Sequence, residues 1–97
     1  MLFCIRCTDR TDAPGLRQQV RPKHLEYLTA LGPRIVFAGP LLADDATTSI
    51  GSLVVIEAPD RPGAEAIAAG DPYAEAGLFA EVVIQPFRIV FNNPPVA

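Results

Sequence analysis

Three features of the 97-residue chain predict an α+β fold, with two helices on one face of a four-stranded antiparallel sheet. Hydrophobic residues make up 49% and charged residues 20%, the composition of a core-forming chain and not of a disordered one. Apolar residues recur with a strand period in four segments and with a helical period in two. Those segments follow the order βαββαβ, the split-βαβ plan of a ferredoxin-like domain.

The first strand, MLFCIRCT (1–8), is rich in β-formers and apolar on both sides, with Leu2 and Cys4 opposite Phe3, Ile5 and Cys7. Thr11 to Pro14 forms a turn with helix-start residues. From Leu16 to Leu31 the period is helical, with Leu16, Val20, His24, Tyr27, Leu28 and Leu31 along one stripe. Pro22 lies inside this run, so the helix either kinks there or begins its regular part there. Gly32-Pro33 ends it. RIVFAGPLLA (34–43) is the second strand, and its Gly39-Pro40 break marks an edge or a bulge. After the loop DDATT (44–48), SIGSLVVIEA (49–58) is the third strand, with Leu53 and Val55 on one face and Val54 and Ile56 on the other. DRPGAEAIAAG (60–70) is the second helix. AEVVIQPFRIVF (80–91) is a long fourth strand that sets Val82 and Ile84 against Val83, Phe87, Ile89 and Phe91. One domain is expected over 1–97, a core to 91 and a tail over 92–97, with no repeat, low-complexity segment or linker.

Between the second helix and the fourth strand stands GDPYAEAGLF (70–79). Gly70 suits a left-handed helix end, and Pro72 forces Asp71 out of the helical region. Pro72 then opens a short helix with Asp71 as its N-cap, and Gly77 stops it. The corner holds a carboxylate in a fixed place.

The charge balance and the motifs exclude several functions. The net charge is −3, the pI is near 4.9 and no Lys/Arg cluster appears, so nucleic-acid binding is not expected. MLFCIRCTDR lacks the order of a signal peptide, and the apolar run IVFAGPLLA (35–43) falls short of the ~18 residues of a membrane helix. A soluble, cytoplasmic protein without membrane contact is expected. Cys4 and Cys7 form a C-x-x-C, but three residues apart in a strand they point to opposite faces and share neither a bond nor a metal. One histidine, two opposed cysteines and no shared acidic face leave no metal set, and no phosphate loop or nucleophile elbow is present. No metal is expected.

Helices cover only one face of such a sheet, yet strands one, three and four are apolar on both. A second copy of the chain is the simplest cover, which predicts a homodimer.

The candidate residues each admit two roles. His24 lies near the middle of the first helix's apolar stripe, either as a core histidine that satisfies one hydrogen bond or as a partly buried base. Asp71 caps the short helix, and its second oxygen is available to an imidazole N–H. Arg17 and Arg21 flank His24 on the same side of the helix, as solvated surface or as a clamp for a carboxylate or phenolate. Two functions follow from this set: an enzyme acting on a small organic compound through His24, or a module that binds such a ligand without reaction.

VRPKHLEYL (20–28), the AGP of 38–40, GSLVVIEA (51–58), GDPYAEAGLF (70–79) and VVIQPFRIVF (82–91) together resemble the YCII-related family. The resemblance runs from the first strand to about Phe91. It implies a subunit of the dimeric α+β barrel type whose site is the His24–Asp71 pair, in a pocket lined by neighbouring residues such as Tyr73. It also implies lyase or dehydrochlorinase-like handling of small, often aromatic or anionic, compounds without a cofactor.

Overall fold

Alternation of apolar side chains builds the first strand, β1 (Leu2–Asp9), which turns Phe3, Ile5 and Cys7 inward and leaves Cys4 on the opposite face. In the computed structural model, which describes residues 1–95, the helix α1 (Leu16–Leu31) follows. A 3₁₀ turn (Gly32–Arg34) leads from it into β2 (Ile35–Leu42). Then come β3 (Ser49–Glu57), α2 (Arg61–Gly70), the single turn α3 (Pro72–Glu75) and β4 (Phe79–Phe87). The strands lie in the order β2-β3-β1-β4, and every neighbouring pair is antiparallel. This is the ferredoxin-like α+β fold, with β1 and β3 in the middle of the sheet.

Register decides which residues share a face. Phe3 pairs Ile56 and Pro86, Ile5 pairs Val54 and Ile84, and Cys7 pairs Ser52 and Val82. These rows meet the helices, where Phe3, Ile5, Cys7, Val54, Ile56, Ala58 and Ala64 form the core with Ile67, Ala68, Phe79 and Ile84 against it. The other face carries Leu2, Cys4, Leu53, Val55, Phe37, Leu41, Val83 and Phe87, interrupted by Arg6, Thr8, Glu81 and Gln85. Phe37 and Phe87 on that face are 48% and 40% exposed.

Several details depart from the sequence reading. α1 runs unbroken through Pro22, which stands on its exposed side, where the missing N–H removes a bond from the solvated flank. Of the expected stripe only His24 and Leu31 are fully buried, while Leu16, Val20, Tyr27 and Leu28 are half-buried. β2 is an edge strand as its Gly-Pro predicts, but its register shifts fall between Ile35 and Phe37 and between Leu41 and Leu42. β4 ends at Phe87, four residues earlier than expected, and Val90 and Phe91 lie outside it, largely exposed. Of the expected tail, 96 and 97 lie outside the described residues.

Gly70 has no left-handed backbone; it is the last residue of α2, and Asp71 takes the extended conformation. Its glycine serves packing. A Cβ there would stand 2.6 Å from the Tyr27 hydroxyl, which donates to the Ile67 carbonyl at 2.8 Å and draws α1 onto α2. Gly77, with φ of 76°, is the left-handed stop that the sequence predicts.

Candidate active site

Asp71 accepts the backbone N–H of Tyr73 at 2.9 Å, so the N-cap expected of an Asp before Pro is formed. The same oxygen, Oδ1, stands 2.8 Å from Nδ1 of His24, and Oδ2 stands 3.0 Å from it. The sequence reading divided these tasks between the two oxygens. Oδ2 does meet the imidazole, and Oδ1 both caps the helix and shares that contact. Both residues are buried, at 8% exposure each. A carboxylate only accepts, so Nδ1 carries a proton, and in the neutral imidazole Nε2 is then the nitrogen with the lone pair. Asp71 thereby selects the tautomer of His24.

Tyr73 is the second residue of α3 and is 1% exposed. Its ring stacks on the imidazole, with centroids 4.0 Å apart and planes 17° apart, and Phe79 meets its edge at 6.0 Å. Burial raises the Tyr73 phenol above its ordinary pKa, against the opposing pull of Arg17, so it is a neutral O–H at physiological pH.

Arg17 is neither solvated surface nor a free clamp. Its Nε and Nη2 donate to the two oxygens of Asp9 at 2.7 and 2.8 Å, and Nη2 also donates to Ser52 Oγ at 2.9 Å. Its guanidinium carbon stands 4.7 Å from the Tyr73 ring centroid. Burial opposes its charge, and the bonds and charge of Asp9 outweigh that, so its pKa is raised. Arg21 is exposed at the rim.

Of these residues, Arg17, Arg21, His24, Ser52 and Tyr73 line a pocket of about 380 Å³ between α1 and the β2–β3 side of the sheet. Its polar lining includes Arg17, Arg21, His24, Ser49 and Ser52; Leu25, Leu28, Pro40, Val54 and Tyr73 supply apolar walls. The volume suits a molecule with a single ring. His24 lines this pocket, and Nε2 is its nitrogen not engaged by Asp71. The sequence reading missed Asp9 and Ser52. Ser52 carries a legible signal, as the polar member of the inward row with Val54 and Ile56; Asp9 carries none, since its partner lies across a turn.

Fold and site together define a ferredoxin-like α+β subunit with a buried His–Asp pair opening on a small pocket. A family model for the YCII-related domain matches residues 1–88, and the chain belongs to that family. It is similar to the protein YciI of Escherichia coli, 38% identical over 98 residues that cover 94% of this chain and 100% of that protein. An uncharacterized protein of Haemophilus influenzae is 37% identical over the same shares. Among solved structures, 5-chloro-2-hydroxyhydroquinone dehydrochlorinase from Burkholderia phenoliruptrix, in complex with 2,5-dihydroxybenzoquinone, matches with a TM-score of 0.83. That match is 30% identical and covers 91% of this chain and 94% of the other.

Proposed function

We propose that residues 1–97 form one YCII-related domain that works, as a homodimer, as a lyase-type enzyme on small ring compounds. His24 is the general base and Asp71 orients it. The observation that carries this reading is the buried Nδ1–Asp71 pair, which leaves Nε2 as the one basic nitrogen for a pocket of about 380 Å³. Similarity to a dehydrochlorinase at 30% identity supports the class of reaction.

The step is an elimination. Nε2 takes a proton from a ring hydroxyl, whose oxygen becomes a carbonyl as the ring carbon bearing the leaving group takes up a proton. Loss of a second hydroxyl proton then pushes a pair through the ring toward that carbon. The leaving group departs with the pair of its own bond, so no oxidant or reductant is consumed. Asp71 faces the imidazolium that forms and stabilises it. Arg21, at the rim, is the guanidinium placed to meet an anionic oxygen, since Arg17 is occupied by Asp9 and Ser52.

The test is release of chloride from 5-chloro-2-hydroxyhydroquinone and related chlorinated phenols. His24→Ala should lower turnover by about 10²–10⁴-fold, the usual worth of a positioned base. Full activity in that variant would remove the reading. Binding of 2,5-dihydroxybenzoquinone without turnover of any compound in the panel would favour a ligand-binding module.

A further inference from the structure

We propose that Asp9 and Ser52 are positioning residues for His24, acting through Arg17 and the ring of Tyr73. The inference rests on the reading of His24 as the base.

Three hydrogen bonds converge on one guanidinium: Nε and Nη2 to Asp9 at 2.7 and 2.8 Å, and Nη2 to Ser52 at 2.9 Å. Because the guanidinium is planar and its donors are rigidly forked, these bonds fix its orientation as well as its place. The group stands 4.7 Å from the Tyr73 ring centroid, within the range of a cation–π contact. That ring in turn stacks on His24 at 4.0 Å. Arg17 and His24 are seven residues apart on α1, about 10 Å of rise at 1.5 Å per residue. A ring in contact with both therefore spans the space between those turns and is held from two sides.

His24 needs such a hold. Its polar partner is Asp71, and bonds to a single nitrogen leave the imidazole plane free to rock about that nitrogen. The stacked ring of Tyr73 sets the plane and so aims Nε2. Tyr73 also donates its backbone N–H to Asp71, so one residue registers both members of the pair. None of Asp9, Arg17 and Ser52 belongs to the main apolar core. A shielded ion pair of this kind adds little net stability, because desolvation offsets the attraction. What it supplies is orientation.

The experiment follows the His24 ring protons by NMR in the parent, Asp9→Ala, Ser52→Ala and Arg17→Lys, with Tyr73→Leu marking complete loss of the stack. The ring-current shift should fall toward the Tyr73→Leu value in Asp9→Ala and Arg17→Lys, and partway in Ser52→Ala. Arg17→Lys keeps the charge and loses the fork, so it separates geometry from electrostatics. In the chloride-release assay kcat should drop roughly 10- to 100-fold with KM little changed, as a misaimed group costs. Parent-like His24 signals in folded Asp9→Ala or Arg17→Lys would overturn the proposal. If Asp9→Ala does not fold, Ser52→Ala decides it by the same signals. The NMR reading needs no substrate, so failure of His24→Ala to lower turnover would remove the base and leave the positioning to be judged separately.

Discussion

Asp71 serves two partners with one carboxylate, and the two can be separated by substitution. Asparagine is as good an N-cap as aspartate, but it brings no charge to face an imidazolium. Asp71→Asn should therefore keep its thermal midpoint close to the parent's while turnover falls by about 10²-fold, within the range for an oriented base. Asp71→Ala loses the cap as well and should cost about 1 kcal/mol of stability, measured by denaturant unfolding. A large loss of stability in Asp71→Asn would mean that the ion pair, and not the cap, holds the corner. Cys7 gives a second prediction at this scale. Burial, and then the Asp71 charge, push its thiol up to about 12 from an ordinary 9.0. Above pH 9 the unfolded chain releases this proton and the folded chain keeps it. The contribution is thus fully present below pH 9 and is lost as the pH rises toward 12. The urea midpoint should decline more steeply from pH 9 to 11 in the parent than in Cys7→Ala; equal slopes would contradict the assignment.

The elements that carry the site are held by close approach of helices. α2 presents small residues to the rest of the fold, with Ala64 fully buried, and Gly70 lets the Tyr27 ring lie against it. An alanine at Gly70 would gain helix propensity, but its Cβ would stand 2.6 Å from the Tyr27 hydroxyl. That hydroxyl is tied to the Ile67 carbonyl, and the ring behind it is rigid. Gly70→Ala should therefore destabilise the subunit by about 1–3 kcal/mol, the usual cost of overpacking. In a Tyr27→Phe background the same change should cost less, which a double-mutant cycle in urea measures. Strict additivity would show that the two positions do not press on each other. The short helix α3 follows directly from Gly70, so a shift of α2 would also move Asp71 away from His24.

At the scale of the whole molecule, the sheet face away from the helices remains to be accounted for. Phe37 and Phe87 stand exposed there with Leu53 and Val83 half-buried beside them, and a lone subunit would leave that apolar surface in water. The homodimer proposed above would cover it, and about 800 Å² per partner is the usual size of a stable interface. Register now distinguishes two neighbouring residues. Ile84 faces the helices and packs on the core, whereas Val83 pairs Arg6 on the other face. Ile84→Glu should unfold the subunit. Val83→Glu should leave a folded chain of half the mass by sedimentation at micromolar concentration. A parent chain that sediments as a folded monomer would remove the homodimer.

The six main elements were legible because their causes are local: a period of two or 3.6, prolines and glycines as punctuation, and an Asp-Pro that can only cap. β4 was drawn too long for the same reason, since Ile89 and Phe91 continue the apolar pattern after strand pairing has ended at Phe87. The sequence by itself determined that one imidazole lies on the inward stripe of the first helix and that one carboxylate is fixed at a corner. Only the tertiary structure decided that the two meet, because 47 residues separate them and the sheet register and helix packing set that distance. It likewise decided that Gly70 serves a contact and not a turn, and that Arg17 is held by Asp9 and Ser52. Side chains brought together from different elements have no period along the chain, so their meeting is a property of the packed molecule alone.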